Sequence, residues 1–294
     1  MNEKDIRDDE IRVIGEEEKP KFKGWKALLL LVAGIIVGAV IYTVLKPKAV
    51  EHEPVDPPQP GYYDPAPVVQ ERSAVKASLA KAADVGHGFI EMADTTINDI
   101  PMRLFIPHQT RLSLHVGDID RNDPSILFAT QAADVRADNG GIVGAFVLAG
   151  EPKAWGLSKK GYCAIINDTV TVGVAENSPL FEEATEKGGY FFRQYPLVDN
   201  GKLVDNEVKG KSIRRALCDR GGEIFTVETL SPESFHDFAQ ALADLGVDNA
   251  IYLVGSNSYG WATDAEGQRH PFGCSDPPKK KWKNISYLVM KNKE

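Results

Sequence analysis

The run Ala27 to Leu45, ALLLLVAGIIVGAVIYTVL, carries no charge and is bounded by Lys26 and Lys46. At 1.5 Å per residue, about 20 apolar residues cross a hydrocarbon core of about 30 Å, so the run is expected to form a single transmembrane helix. Trp25 and Tyr42 fall near the headgroup levels that amphipathic rings favour. A cleaved signal peptide would have a shorter apolar core and a small-x-small site before Lys46, and the run has neither. Arg7, Arg12, Lys19, Lys21, Lys23 and Lys26 precede it, against Lys46 and Lys48 after it. The positive-inside rule therefore expects a signal anchor with a cytoplasmic N-terminus and a periplasmic or extracellular remainder. Gly34 and Gly38 would let two such helices approach closely, a candidate homodimer contact, although glycine is common in membrane helices.

The charged segment 1–26 lacks apolar periodicity and reads as a disordered cytoplasmic tail. Between 46 and 70 the prolines Pro47, Pro54, Pro57, Pro58, Pro60, Pro65 and Pro67 favour an extended stalk. The remainder, 71–294, is long enough for one domain, opening with helix-forming residues from Glu71 to Ala83. A formal charge of −8 argues against a nucleic-acid partner. The basic cluster Lys279, Lys280, Lys281 and Lys283 around Trp282 reads as the guard of an exposed strand edge, with contact to an anionic lipid or polymer as the competing reading. Cys163, Cys218 and Cys274 lack zinc-ligand spacing, no cofactor or metal is expected, and an odd count leaves any disulfide pairing open. Asn167-Asp168-Thr169 and Asn284-Ile285-Ser286 are glycosylation sequons only on a eukaryotic secretory route.

Strands dominate the expected domain, making the class α+β. Leu112, Leu114 and Val116 alternate; Ile126 to Ala129 and Ile142 to Leu148 are apolar runs; Cys163–Ile166 and Thr169–Val174 flank an Asn-Asp hairpin turn. Ser231, Pro232 and Glu233 read as the start of a helix whose apolar stripe is Phe235, Phe238, Ala239, Leu242 and Leu245, stopped by Gly246. His236 on it reads as a surface histidine. Strands at Glu223–Glu228 and Ala250–Val254 flank the helix, suggesting a βαβ crossover with parallel strands in a mixed sheet. Both strands then end on one side, where ligands bind in such units. Glu228 and the loop Gly255-Ser256-Asn257-Ser258 become neighbours, and the hairpin turning at Asp219-Arg220-Gly221-Gly222 brings Lys211 and Arg214 to the same end. An ordinary sheet edge with a tight turn is the competing reading.

The segments SIRRALCDRGGEIFTVE and LSPESFHDFAQALADLGVDNAIYLVGSNSYG resemble the C-terminal half of the phosphodiester glycosidase family. Arg214, Arg215, Ala216 and Leu217 stand at the family's Arg-Thr-Ala-Ile strand, Leu245-Gly246 at its helix end, and Leu253 to Ser258 at its Asp-Gly-Gly-Gly-Ser loop. The resemblance spans about residues 211 to 262. Val254 replaces the family's aspartate, Ser256 and Asn257 replace two glycines, and Ala132-Ala133-Asp134-Val135-Arg136 is a poor copy of the Asn-Gly-Gly-Phe-Phe element.

Together with the expected anchor, the resemblance implies a membrane-anchored hydrolase of sugar-phosphodiester bonds in glycans. Its acid and base are expected at Glu228 and Asp134, since glycoside hydrolysis ordinarily uses two carboxyls. Arg214, at the family's arginine position, is expected to hold the phosphodiester through bidentate hydrogen bonds. Lys211, Ser256, Asn257 and Ser258 complete the expected substrate-binding set. Strand alternation turns Arg215 to the opposite face, leaving one of the two arginines structural. Val254 motivates a second reading, a catalytically degenerate glycan- or phosphate-binding envelope protein. The third is an anchored structural protein.

Overall fold

The computed structural model describes residues 86–256, 258–273 and 283–293. The expected tail, membrane helix, Gly34/Gly38 contact, stalk and Glu71–Ala83 helix lie outside these residues, as do Asn257, Cys274 and Lys279 to Lys281. Among the described residues, no helix is long and apolar enough to cross a membrane.

Strand β1 (Phe89–Ile97) turns at Asn98-Asp99 into β2 (Ile100–His108), followed by β3 (Thr110–Val116) and β4 (Ile126–Gln131). Next come β5 (Ala145–Leu148), β6 (Glu151–Trp155), β7 (Gly161–Ile166) and β8 (Thr169–Val174), then helix α1 (Leu180–Glu186). Strands β9 (Tyr190–Gln194), β10 (Pro196–Asp199), β11 (Lys202–Leu203), β12 (Arg215–Arg220) and β13 (Glu223–Thr229) lead to helix α2 (Phe235–Asp244). The chain closes with β14 (Asn249–Leu253), β15 (Tyr259–Thr263), β16 (Arg269–Gly273) and β17 (Ser286–Asn292).

These strands form a seven-stranded sheet, β1-β2-β13-β12-β14-β10-β11, and two five-stranded sheets, β16-β15-β4-β17-β3 and β6-β5-β9-β7-β8. Two-residue turns with both residues at positive φ join β1 to β2, β7 to β8 (Asn167-Asp168) and β12 to β13 (Gly221-Gly222). That geometry matches the twist of antiparallel strands.

The large sheet carries apolar residues on both faces. Met102, Leu104, Ala216, Cys218, Val227 and Ala250 pack against the α2 stripe of Phe235, Phe238, Ala239 and Leu242. On the other face, Phe105, Leu217, Ile251 and Leu253 meet Phe128 and Leu288 of one small sheet and Phe146 and Phe192 of the other. Cys163 and Cys218 are buried free thiols in separate clusters, and burial pushes both thiol pKa values up.

The βαβ expectation holds in direction but not in adjacency. Strand β12 pairs antiparallel with both β13 and β14, so the two strands joined by α2 run parallel with β12 between them. The helix also begins later than its sequence suggests. Ser234 is the N-cap, its Oγ accepting from Asp237 N at 3.0 Å. The earlier Ser231 donates to Glu233 Oε1, because Glu233 is held by a bridge to Ser212 that keeps this segment extended. Gly246, at φ 88°, ends the helix as expected.

Asp219, on β12, has its pKa raised from 3.8, first by burial, with the nearby Asp248 adding to the effect and a hydrogen bond from Gly222 N opposing it. A carboxyl with a raised folded pKa costs the fold nothing below its unfolded value, and the cost grows as pH rises through the folded value. Asp219→Asn, which keeps an oxygen for Gly222 N, is therefore expected to raise the urea midpoint at pH 7 and to leave it unchanged below about pH 3.8.

Candidate functional site

The register of the large sheet lines up one row of side chains on a single face. Asp94 on β1 pairs with Arg103 on β2, Arg103 with Glu228 on β13, Glu228 with Arg215 on β12, and Arg215 with Leu253 on β14. Charge alternates along this row from the exposed Asp94 to Arg215, which is fully buried. Asp94 accepts two hydrogen bonds from Arg103, which hold its carboxyl below the usual range; the same bonds, with a smaller contribution from the Glu228 charge, raise the Arg103 pKa.

Arg215 is the hub. Its Nε and Nη2 donate to Glu228 Oε2, and its Nη1 donates to Thr130 Oγ1 at 2.8 Å, Val254 O at 3.0 Å and Ser258 Oγ at 2.6 Å. The Phe272 ring covers the guanidinium at 4.8 Å. One buried cation thereby ties the end of β13 to the loop after β14.

That loop forms one wall of a cleft of about 420 Å³. Val254, Ser256 and Ser258 line it from β14 and its loop, Asp134 and Gln131 from the chain after β4 and its end, and Arg121 from before β4. Tyr259 and Tyr287 add aromatic surface, with the Arg121 guanidinium 4.0 Å over the Tyr259 ring. Burial raises the Tyr287 pKa, so its hydroxyl stays a donor at neutral pH. Gly255 sets the loop's position: its N donates to Tyr252 Oη at 3.2 Å, and the next amide, Ser256 N, donates to Ile213 O at 3.0 Å.

Asp134 is held by Lys159, whose Nζ donates to Asp134 Oδ2 and, at 2.8 Å, to Gln194 Oε1. Lys159 takes a left-handed backbone (φ 70°), and its side chain is only 6% exposed. Burial lowers its pKa, and the Asp134 carboxylate acts in the opposite direction.

The structure brings together Asp134, Ser256 and Ser258 from the expected set, and it separates the rest. Glu228 is buried behind Ser258, with Arg215 between them, and does not line the cleft. Arg214 turns to the α2 face, donating to Glu233 O at 2.8 Å and Gly210 O at 2.6 Å and lying 4.5 Å over the Phe235 ring. Neither arginine lines the cleft: strand alternation gives the Glu228 side to Arg215, which is itself fully buried. Lys211 is exposed and pairs with Glu233 at 3.4 Å and Asp237 at 4.0 Å, at the start of α2. His236 is an exposed partner of Asp205. Asn139-Gly140-Gly141 closes a small turn between bridge partners Val135 and Ile142. Arg121 and Lys159 carry no motif in the sequence; only the tertiary fold delivers them.

No protein-family model and no curated protein matches this sequence. Among solved structures, the catalytic domain of zebrafish N-acetylglucosamine-1-phosphodiester alpha-N-acetylglucosaminidase, auto-inhibited by its pro-peptide, is similar at a TM-score of 0.50 and 14% identity. The match covers 73% of this chain and 85% of that one. A hypothetical protein from Synechocystis is similar at a TM-score of 0.51 and 14% identity, covering 70% of this chain and 62% of that one. At such identities the likeness is one of fold, and this strand-rich chain is a distant structural relative of a phosphodiester glycosidase domain.

Proposed function

We propose that the cleft lined by Asp134, Arg121, Ser256 and Ser258 binds a glycan or sugar phosphodiester without hydrolysing it. The observation that carries this reading is that Val254 lines the cleft and Asp134 is the one carboxylate lining it among the described residues. Acid–base cleavage of a glycoside ordinarily needs two carboxyls flanking the bond. Here the second candidate, Glu228, accepts both its hydrogen bonds from Arg215 below the surface. Arg121 supplies the positive charge that a phosphodiester requires, and the two tyrosines supply faces and hydroxyls for a sugar. The fold shared with a glycosidase acting on N-acetylglucosamine-1-phosphodiesters supports this ligand class. The anchor at 27–45 would hold the cleft at a membrane surface, on the periplasmic or extracellular side.

The test is titration of the full chain, in detergent, with an N-acetylglucosamine-1-phosphodiester while free sugar is assayed. Saturable binding without sugar release is the expected result, with affinity lowered about tenfold, or about 1.4 kcal/mol, in Asp134→Ala. Sugar release by the parent chain would return the hydrolase reading; absence of binding would leave an anchored scaffold.

A further inference from the structure

A second cleft, of about 480 Å³, is bordered by the connection that carries Lys159. Its walls are Trp155 at the end of β6, Leu157 after it, and Pro179 and Phe181 at the start of α1. Trp155 and Leu157 are 68% and 67% exposed, large apolar side chains left in water beside a concavity. Phe181 is fixed edge-on to Phe191, so this apolar wall is preformed.

The floor is unlike the walls. Arg193 of β9 lines the cleft yet is only 2% exposed. Its Nη1 donates to Lys159 O and Ala175 O, both at 3.0 Å, and its Nη2 donates to Glu176 O at 2.7 Å, while Nε, itself buried, has no acceptor. These three acceptors are neutral carbonyls. Among the described residues, Arg193 forms no ion pair with a carboxylate; burial lowers its pKa, and the nearby Tyr162 acts in the opposite direction. Buried charges are ordinarily paired, and a guanidinium without an anion is an incomplete pair.

We propose that this cleft is a binding site for an anionic pyranose, a sugar ring bearing a carboxylate or phosphate. The apolar face of the ring would lie on Trp155, its hydroxyls would meet Asn177, Ser178 and Glu182 at the rim, and its anion would face Arg193. The volume falls within the range of small-molecule sites, about 300–1,000 Å³, and aromatic walls with a few polar groups are typical of them. A peptide added as a strand along β6 fits less well. That edge strand carries the ion pair of Glu151 and Lys153 at 2.6 Å, and charges of this kind guard edges against pairing.

The site shares no lining residue with the Asp134 cleft, and the experiment keeps the two apart. The full Asp134→Ala chain, in a detergent without a sugar headgroup, is titrated calorimetrically with glucuronic acid, glucose 1-phosphate and neutral glucose. At least one of the two anionic sugars is expected to bind saturably, glucose at least about tenfold more weakly, and Trp155→Ala in the same background to lose at least about tenfold in affinity. Trp155 is mostly exposed, so its removal leaves the core intact. Which of the two anions binds distinguishes a carboxylate from a phosphate ligand. No binding of either anion, equal binding of glucose, or binding untouched by Trp155→Ala would each overturn the proposal. So would capture of a proline-rich peptide, or self-association dependent on Trp155, in place of the sugars.

Discussion

Arg215→Met is expected to remove about 3–5 kcal/mol of folding stability, the largest loss of any single change at the candidate site. The substitution strands Glu228, which is 6% exposed and takes both Arg215 bonds on one carboxylate oxygen. Its other cross-strand neighbour, Arg103, is already engaged by Asp94 and 38% exposed, so it compensates little. Domains are stable by about 5–15 kcal/mol, so such a loss would bring the protein close to its unfolding threshold at room temperature. The double variant Arg215→Met/Glu228→Leu separates charge from position. Replacing both members of a buried pair with apolar groups is often neutral, so the urea midpoint should largely recover. Ligand affinity should not recover, because Val254 O and Ser258 Oγ still lack the donor that fixes them against β12. A single-variant loss under about 1 kcal/mol would show that the pair is not the anchor of the loop.

The position of Arg215 was within reach of the sequence, and the reason lies in the hairpin. A two-residue turn at Gly221-Gly222 pairs Arg220 with Glu223, and counting back five residues along each strand pairs Arg215 with Glu228. Alternation alone assigns one arginine to each face without saying which faces the loop; register decides it. The turns at Asn167-Asp168 and Gly221-Gly222, the α2 stripe and the parallel direction of β13 and β14 were likewise legible, because each rests on local periodicity or turn chemistry. The insertion of β12 between β13 and β14 was not, since a crossover helix specifies parallel direction and leaves the number of strands skipped open. Arg121 reaches the cleft, and Lys159 the Asp134 carboxylate, through connections with no period, and Ser231 resembles an N-cap until the bridge from Ser212 to Glu233 holds its segment extended. Local rules carry the elements; the contents of the cleft depend on contacts between residues far apart in the chain.

Gly255→Ala is expected to damage the cleft through space rather than backbone conformation. A Cβ at Gly255 would sit 2.3 Å from Ile213 O, a separation that no real Cβ tolerates, and the obstacle is backbone that cannot rotate away. The loop must move off the segment leading into β12, breaking the Ser256 N to Ile213 O bond and shifting Ser256 and Ser258 together. Overpacking of this kind costs about 1–3 kcal/mol, and it falls on the residues that line the site. Affinity for the sugar phosphodiester should therefore drop at least about tenfold, a larger effect than the modest fall in urea midpoint would suggest. Gly267→Ala is the matched control. That glycine sits at φ 78° in the turn between β15 and β16 with open space around its Cβ position, so alanine there incurs about 1–2 kcal/mol of backbone strain and touches nothing in the cleft. If both variants lose similar stability while only Gly255→Ala loses binding, the close approach of Gly255 to Ile213 is what shapes the cleft. Unchanged binding in Gly255→Ala would place the ligand away from this loop.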